Sequence, residues 1–214
     1  MVTLCHLQPP ASFLDIGCGL GLHIAAFAKR GFIGTGIEIA DYTFSCALNL
    51  CQAIPNCRIL KLRGSEMTWD GEFDLVYALE HTLGFMSPDE LIRHLQCMYK
   101  AVKDGGWFLL QIPYTLEAEA TTLPVHKWGF SDGRYTLVDK CIFEGNIKRE
   151  KCVIIDPGKN RIDEHFEEQR YYTWKEIIEL LNEAGVKQVK TLRDLRGHKA
   201  YEGKDAKVFL GRKR

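Results

Sequence analysis

The run Phe13-Leu14-Asp15-Ile16 passes directly into Gly17-Cys18-Gly19-Leu20-Gly21. An apolar segment of strand length that breaks into alternating glycines is the pattern of a strand turning tightly into a helix. Glycine reaches backbone angles closed to other residues and leaves no Cβ between the main chain and a ligand. A strand fed into a helix at the start of a chain points to an α/β fold with a parallel sheet, and the residues that follow repeat the unit. Ile33 to Ile39, Arg58 to Leu62, Phe73 to Ala78 and Trp107 to Ile112 read as strands separated by helical patterns, which predicts a doubly wound arrangement.

One of those helices is sharply bounded. Ser87-Pro88-Asp89-Glu90 supplies a cap, a proline at the first helical position and a capping-box acid. Leu91, Leu95, Met98 and Val102 follow at helical spacing and should face the sheet, with Asp104-Gly105-Gly106 as the exit turn. After Pro113 the rhythm changes. Tyr135 to Phe143, Cys152 to Ile155 and Arg161 to Arg170 read as antiparallel strands, the last two joined by a turn at Asp156-Pro157-Gly158-Lys159-Asn160. Residues 113–170 are therefore expected to form an inserted β subdomain on the substrate side of a single domain covering residues 1–214. The α/β pattern resumes at Thr173-Trp174-Lys175-Glu176, a second capping box, and closes with strands at Val186 to Leu192 and Ala206 to Leu210.

The 28 basic residues balance the 28 acidic ones, so there is no overall positive field to gather nucleic acid or an anionic membrane surface. Apolar stretches stop short of the roughly 18 residues that spanning a bilayer requires, and no leader pattern opens the chain. The eight cysteines lie mostly within apolar segments, with no Cys-x-x-Cys pair. They read as reduced thiols of a cytoplasmic protein, with no metal site.

Two acids give the glycine turn its chemistry. Asp15 stands two residues before the first glycine, and Glu38 ends the next strand about 20 residues on, where a ribose diol would be held. Dinucleotide binders favour Gly-x-Gly-x-x-Gly, whereas the spacing here is Gly-x-Gly-x-Gly behind an acid. A carboxylate there repels a pyrophosphate and suits an ammonium or sulfonium group.

In these motifs the chain resembles the class I S-adenosylmethionine-dependent methyltransferases of the small-molecule type. Leu14 to Gly21 looks like their first motif, Ile37-Glu38 like the end of their second, Phe73 to His81 like their fourth, and Leu180 to Val186 like their late helix-to-strand junction. The resemblance implies a Rossmann-like, seven-stranded, mostly parallel sheet of order 3-2-1-4-5-7-6 with the antiparallel insertion after strand 5. It also implies S-adenosyl-L-methionine as cofactor and methyl transfer by direct displacement to N or O of a small acceptor. Gly17 and Gly19 would lie under the methionine and ribose, Asp15 near the amino group, and Glu38 on both ribose hydroxyls, with Cys18 and Ile39 beside them. Where the family shows Gly-Asp for the adenine amino group, this chain has Gly64-Ser65-Glu66-Met67. Either Ser65 or Glu66 takes that role, and Met67 packs on the purine. Leu79 and Glu80 would line the cofactor's other side, with His81 near the methyl as substrate contact or general base. Tyr114, His126, Trp128 and Tyr135 in the insertion would wall the acceptor pocket.

Other readings are weaker. A methyltransferase-like subunit that binds cofactor or a partner without chemistry is motivated by the dozen residues before the first strand, too few for a helical lid. Either a partner chain or the insertion would then supply the cover, or the chain is shortened; a homodimer is a further partner expectation. A nucleic-acid methyltransferase lacks its Asn or Asp followed by Pro-Pro-Tyr or Phe at the fourth strand, and a nicotinamide dehydrogenase lacks its glycine spacing.

Overall fold

The computed structural model describes residues 1–80, 82–112, 116, 127–131, 133–200 and 207–214. These fall into two compact units, residues 1–113 with 175–214, and residues 114–174.

The first unit is built on a seven-stranded sheet. In chain order its strands are β1 (Ser12–Ile16), β2 (Ile33–Glu38), β3 (Cys57–Lys61), β4 (Phe73–Ala78), β5 (Val102–Gln111), β10 (Lys190–Leu192) and β11 (Val208–Arg212), with β6 to β9 in the second unit. Their spatial order is β3-β2-β1-β4-β5-β11-β10. With the insertion's strands left out of the count, this is the expected order 3-2-1-4-5-7-6. Strands β1 to β5 pair in parallel and β11 runs antiparallel to both of its neighbours.

Helices α1 (Leu22–Ala28), α2 (Asp41–Cys51), α3 (Pro88–Ala101) and α4 (Trp174–Glu183) accompany the sheet. A parallel sheet covered on both faces needs apolar side chains on both. This explains why Phe13, Leu14, Asp15 and Ile16 are all buried although their side chains alternate in direction. Helix α3 begins as the sequence predicts, with the Ser87 hydroxyl accepting from the Glu90 N–H at 3.3 Å. Leu91, Leu95 and Met98 are buried, and His94 is buried with them.

Two details differ from the sequence reading. Asp104-Gly105-Gly106 does not separate α3 from the next strand, because β5 starts at Val102, opposite Phe73. The register then jumps to Leu75 opposite Trp107, so that Lys103 to Gly106 bulge against Asp74. The bulge is pinned by the Lys103 ammonium, 2.9 Å from an Asp74 carboxylate oxygen that also accepts from the Ser12 N–H at 2.7 Å and hydroxyl at 2.8 Å. The last helix is followed by a strand of only Lys190 to Leu192, since Gln188 takes a left-handed φ of 58° and interrupts an earlier start.

The second unit is a four-stranded antiparallel sheet of order β6-β7-β8-β9, comprising β6 (Lys127–Ser131), β7 (Arg134–Glu144), β8 (Ile147–Asp156) and β9 (Arg161–Arg170). The predicted turn joins β8 to β9, with Asn160 in the left-handed region at φ 48°.

The core of the first unit is centred on β1, β4 and β5. Phe108 on β5 is fully buried, and its ring meets Tyr99 of α3 edge-on at 6.5 Å between centroids. Phe108→Ala is expected to lower unfolding free energy by about 3–5 kcal/mol, read by urea denaturation. A loss below about 1 kcal/mol would place the core elsewhere.

Candidate cofactor site

The glycine turn follows from its backbone angles. Gly17, Gly19 and Gly21 have φ of 69°, 54° and 76°, a left-handed region costly for residues with a Cβ. Gly21 carries a second constraint, because a Cβ there would stand 3.1 Å from the Ala47 Cβ of α2. The turn's amide hydrogens are used internally. Gly17 and Cys18 N–H both donate to the Ile37 carbonyl at 3.0 Å, and Gly21 N–H donates to the Cys18 carbonyl at 2.9 Å.

Gly19 N–H donates to Glu38 Oε2 at 2.9 Å, while Glu38 Oε1 accepts from Ile39 and Ala40 N–H at 2.8 and 2.9 Å. The acid at the end of β2 thus clamps the turn after β1 to the turn after β2. Beside it opens a cavity of about 450 Å³, within the usual size of a small-ligand site. Gly17, Glu38 and Ile39 line one part of it, Gly64, Ser65 and His94 another, and Phe85 and Met86 add apolar wall.

The expected residues divide accordingly. Gly17, Glu38, Ile39 and Ser65 line the cavity. Of the two alternatives after β3, Ser65 is on the lining, whereas Glu66 is exposed and off it. Gly19 stands at the turn, with open space where its Cβ would be. Cys18, Met67 and Leu79 are buried and are not among the lining residues. Glu80 is exposed in a left-handed conformation, φ 60°. His81, Tyr114 and His126 lie outside the described residues, and for Trp128 only the backbone, in β6, is described. Tyr135 is on β7, half-exposed, its ring 4.8 Å from Phe130. His94 is the residue that sequence reasoning passed over. Its position three residues after Leu91, on the buried stripe of α3, was the available signal.

Asp15 is seated deeper than the sequence suggests. It is 2% exposed, on β1 directly beside Tyr77 of β4, so it does not present its carboxylate to the cavity. Burial pushes its carboxyl up to about 7; the Tyr77 hydroxyl opposes that rise and the Glu38 charge adds to it. Even so, Asp15 Oδ2 and the Tyr77 hydroxyl find no hydrogen bond of full geometry among the described residues, and His23 Nδ1 lies 4.0 Å from Asp15 Oδ2. The cause of the depth is the doubly covered sheet, in which neither strand face meets water.

Residues able to hold S-adenosylmethionine are therefore present: a fixed acceptor at Glu38, a close backbone at Gly17 and Gly19, and a slot with polar groups at Ser65 and His94. The family described as "Methyltransferase domain" matches residues 13–106. A ubiquinone biosynthesis O-methyltransferase from Hydrogenovibrio crunogenus is 30% identical over 100 residues, which are 45% of this chain and 40% of that protein's length. An S-adenosylmethionine-dependent methyltransferase from Clostridium acetobutylicum superposes with a TM-score of 0.80 at 15% identity, over 99% of this chain and 87% of that one. CalS10, an amino pentose methyltransferase from Micromonospora echinaspora solved with S-adenosylmethionine bound, superposes with a TM-score of 0.72 at 20% identity, over 96% of this chain and 84% of that one.

Asp15 also makes stability depend on pH in a definite direction. Its folded pKa is raised from 3.8 to about 7. Between those values the folded carboxyl holds a proton that the unfolded one has lost, so stability falls as pH rises from about 4 to 7. Asp15→Asn removes this penalty, and its melting temperature should exceed wild type at pH 8 by several degrees more than at pH 4.5. An equal difference at both values would rule out a buried carboxyl of raised pKa. Residues 13–106 are thus matched by a methyltransferase domain, and the seven-stranded sheet with a cofactor-sized cavity at the glycine turn is the Rossmann-like fold of S-adenosylmethionine-dependent methyltransferases.

Proposed function

We propose that the protein transfers a methyl group from S-adenosylmethionine to a nitrogen or oxygen of a small-molecule acceptor. The observation that carries the reading is Glu38, whose carboxylate is held at the cavity by three backbone N–H groups. A carboxylate has about four acceptor sites, so with three taken about one, on Oε2, remains for a ribose hydroxyl. When bound, the cofactor supplies an electrophilic methyl on a sulfonium, which leaves as a neutral thioether and needs no acid. The protein's part is alignment, an entropy contribution of as much as ~7–11 kcal/mol in well-oriented systems. Glu38 fixes the ribose, Gly17 and Gly19 let the methionine portion lie against backbone, and Ile39 and Ser65 bound the base. Asp15 lies below the turn, buried beside Tyr77, and does not meet the cavity.

His81, three residues past the end of β4, is the residue we assign as base for an acceptor that arrives protonated. Tyr114, His126, Trp128 and Tyr135 are assigned to the acceptor pocket, and residues 113–170 to a substrate-side subdomain of one domain. Small-molecule chemistry is supported by the names of similar proteins, among them the O-methyltransferase and the amino pentose methyltransferase above. Among the described residues no helix is long and apolar enough to cross a membrane. All eight cysteines are thiols outside any disulfide, which supports a cytoplasmic location.

Calorimetric titration with S-adenosylhomocysteine tests the cofactor, and its release during incubation with amine and phenol panels tests the chemistry. Glu38→Gln should weaken S-adenosylhomocysteine about ten- to hundredfold, the equivalent of a charged hydrogen bond, and weaken a 2′-deoxy analogue less. Wild type that binds without turnover on any acceptor would favour the non-catalytic reading, and no binding at all would overturn both.

A further inference from the structure

His94 is a polar side chain where the fold has no use for one. It occupies the sheet-facing stripe of α3 between Leu91, Leu95 and Met98 and is 1% exposed, yet neither ring nitrogen has a hydrogen-bond partner among the described residues. Buried polar groups in native proteins are nearly always partnered, and an orphan calls for an explanation in strain, function or a missing ligand. A histidine kept only for packing would do better as leucine.

The ring's surroundings indicate what is missing. His94 belongs to the lining of the cavity that Glu38 borders, and its neighbour there is Gly64. A Cβ on Gly64 would fall 2.0 Å from Cε1 and 2.2 Å from Nδ1 of the ring, so the glycine exists in contact with this imidazole and no other residue type fits above it. The adjoining lining is Ser65, the apolar Leu62, and Phe85 and Met86. A slot with apolar walls and an imidazole among its lining suits a flat heteroaromatic ring. Burial lowers the His94 pKa to about 4, so at neutral pH the imidazole presents one N–H donor and one bare nitrogen acceptor.

We propose that His94 is a cofactor-positioning residue that hydrogen-bonds the amino-bearing edge of the adenine base, in the cavity that Glu38 also lines. The inference rests on the nucleoside reading above and adds the group that reads the base. Neither ring nitrogen touches solvent, so contact requires a half-turn of the ring about χ2, which exchanges nitrogen and carbon positions in place. The exchange carries Nε2 to the site of Cε1, the atom nearest the Gly64 position.

The test compares two ligands on the full chain by calorimetry: S-adenosylhomocysteine and its analogue whose purine lacks the 6-amino group. Wild type should prefer the adenine compound about tenfold, and His94→Leu should bring the two within about twofold while still binding both through ribose and homocysteine. A purely structural role would weaken both ligands equally and keep the ratio. Retention of the tenfold ratio in His94→Leu, or absence of any ratio in wild type, overturns the proposal. Wild type that binds neither ligand overturns the cofactor reading itself and this inference with it. Should the variant fail to fold, nitrogen NMR of wild-type imidazoles decides: S-adenosylhomocysteine should fix one His94 tautomer and move its N–H resonance, and unchanged ring resonances refute the assignment.

Discussion

The Glu38 carboxylate is the tie on which the site depends. Strands β1 and β2 run in parallel and end at the same edge of the sheet, where the ladder can no longer satisfy the main chain. Two turns leave from that edge, and Glu38 takes one N–H from the first and two from the second. The acid is therefore immobilised by the scaffold before any ligand arrives, so less ordering remains to oppose binding. The same three bonds make it a structural residue as well as a recognition one. An amide in its place would keep one oxygen and lose the second acceptor, loosening the glycine turn relative to the start of α2.

Below that clamp the sheet carries groups an apolar core would not choose. Asp15 and Tyr77 face each other on adjacent strands without a full hydrogen bond, and His94 on α3 has no hydrogen-bond partner among the described residues. Each costs stability in isolation. Yet all three belong to segments that end at or line the cavity, while the pair at the far end of the same strands is fully satisfied: Asp74 accepts from Ser12 and Lys103. Local departures from core chemistry that cluster at one end of a sheet, with satisfied polar groups at the other, are what a scaffold bearing a site should show.

The strands and helices were legible because each βα unit announces itself locally: an apolar run, a glycine or cap, then a helical stripe; their order in the sheet came only from the family resemblance. Ser87-Pro88-Asp89-Glu90 fixes the start of α3 within a residue for that reason. What could not be read was set by pairing across the chain. Asp104-Gly105-Gly106 has the composition of a turn, and only its register against Asp74, some 30 residues earlier, makes it a bulge inside β5. The depth of Asp15 was hidden too, since strand alternation names a face but not whether that face is covered. His94 reads as an ordinary polar position on a helix until Gly64, distant in sequence, is placed beneath its ring. The choice between Ser65 and Glu66 likewise needed the short turn at Gly64–Glu66 to show which side chain meets the cavity.

The structure also changes the reason why this glycine turn suits a cation-bearing nucleoside instead of a pyrophosphate. From sequence the argument was the charge of Asp15, but that carboxyl is buried and, near neutrality, only partly ionised. The stronger argument is donor occupancy. A phosphate-binding turn must present unspent N–H groups to its anion. Here four of the five between Gly17 and Gly21 are spent: those of Gly17 and Cys18 on the Ile37 carbonyl, that of Gly19 on Glu38 and that of Gly21 on Cys18. The turn thus keeps the close approach that glycine allows while withdrawing its electrostatic welcome to anions. Of the charged groups on the cavity, Arg63 and Glu90 lie 3.6 Å apart and offset one another, which leaves Glu38 to set the local sign. With distant charges screened beyond about 10 Å at ordinary salt, a chain of zero net charge still presents a negative site to a ligand whose reactive centre is a sulfonium.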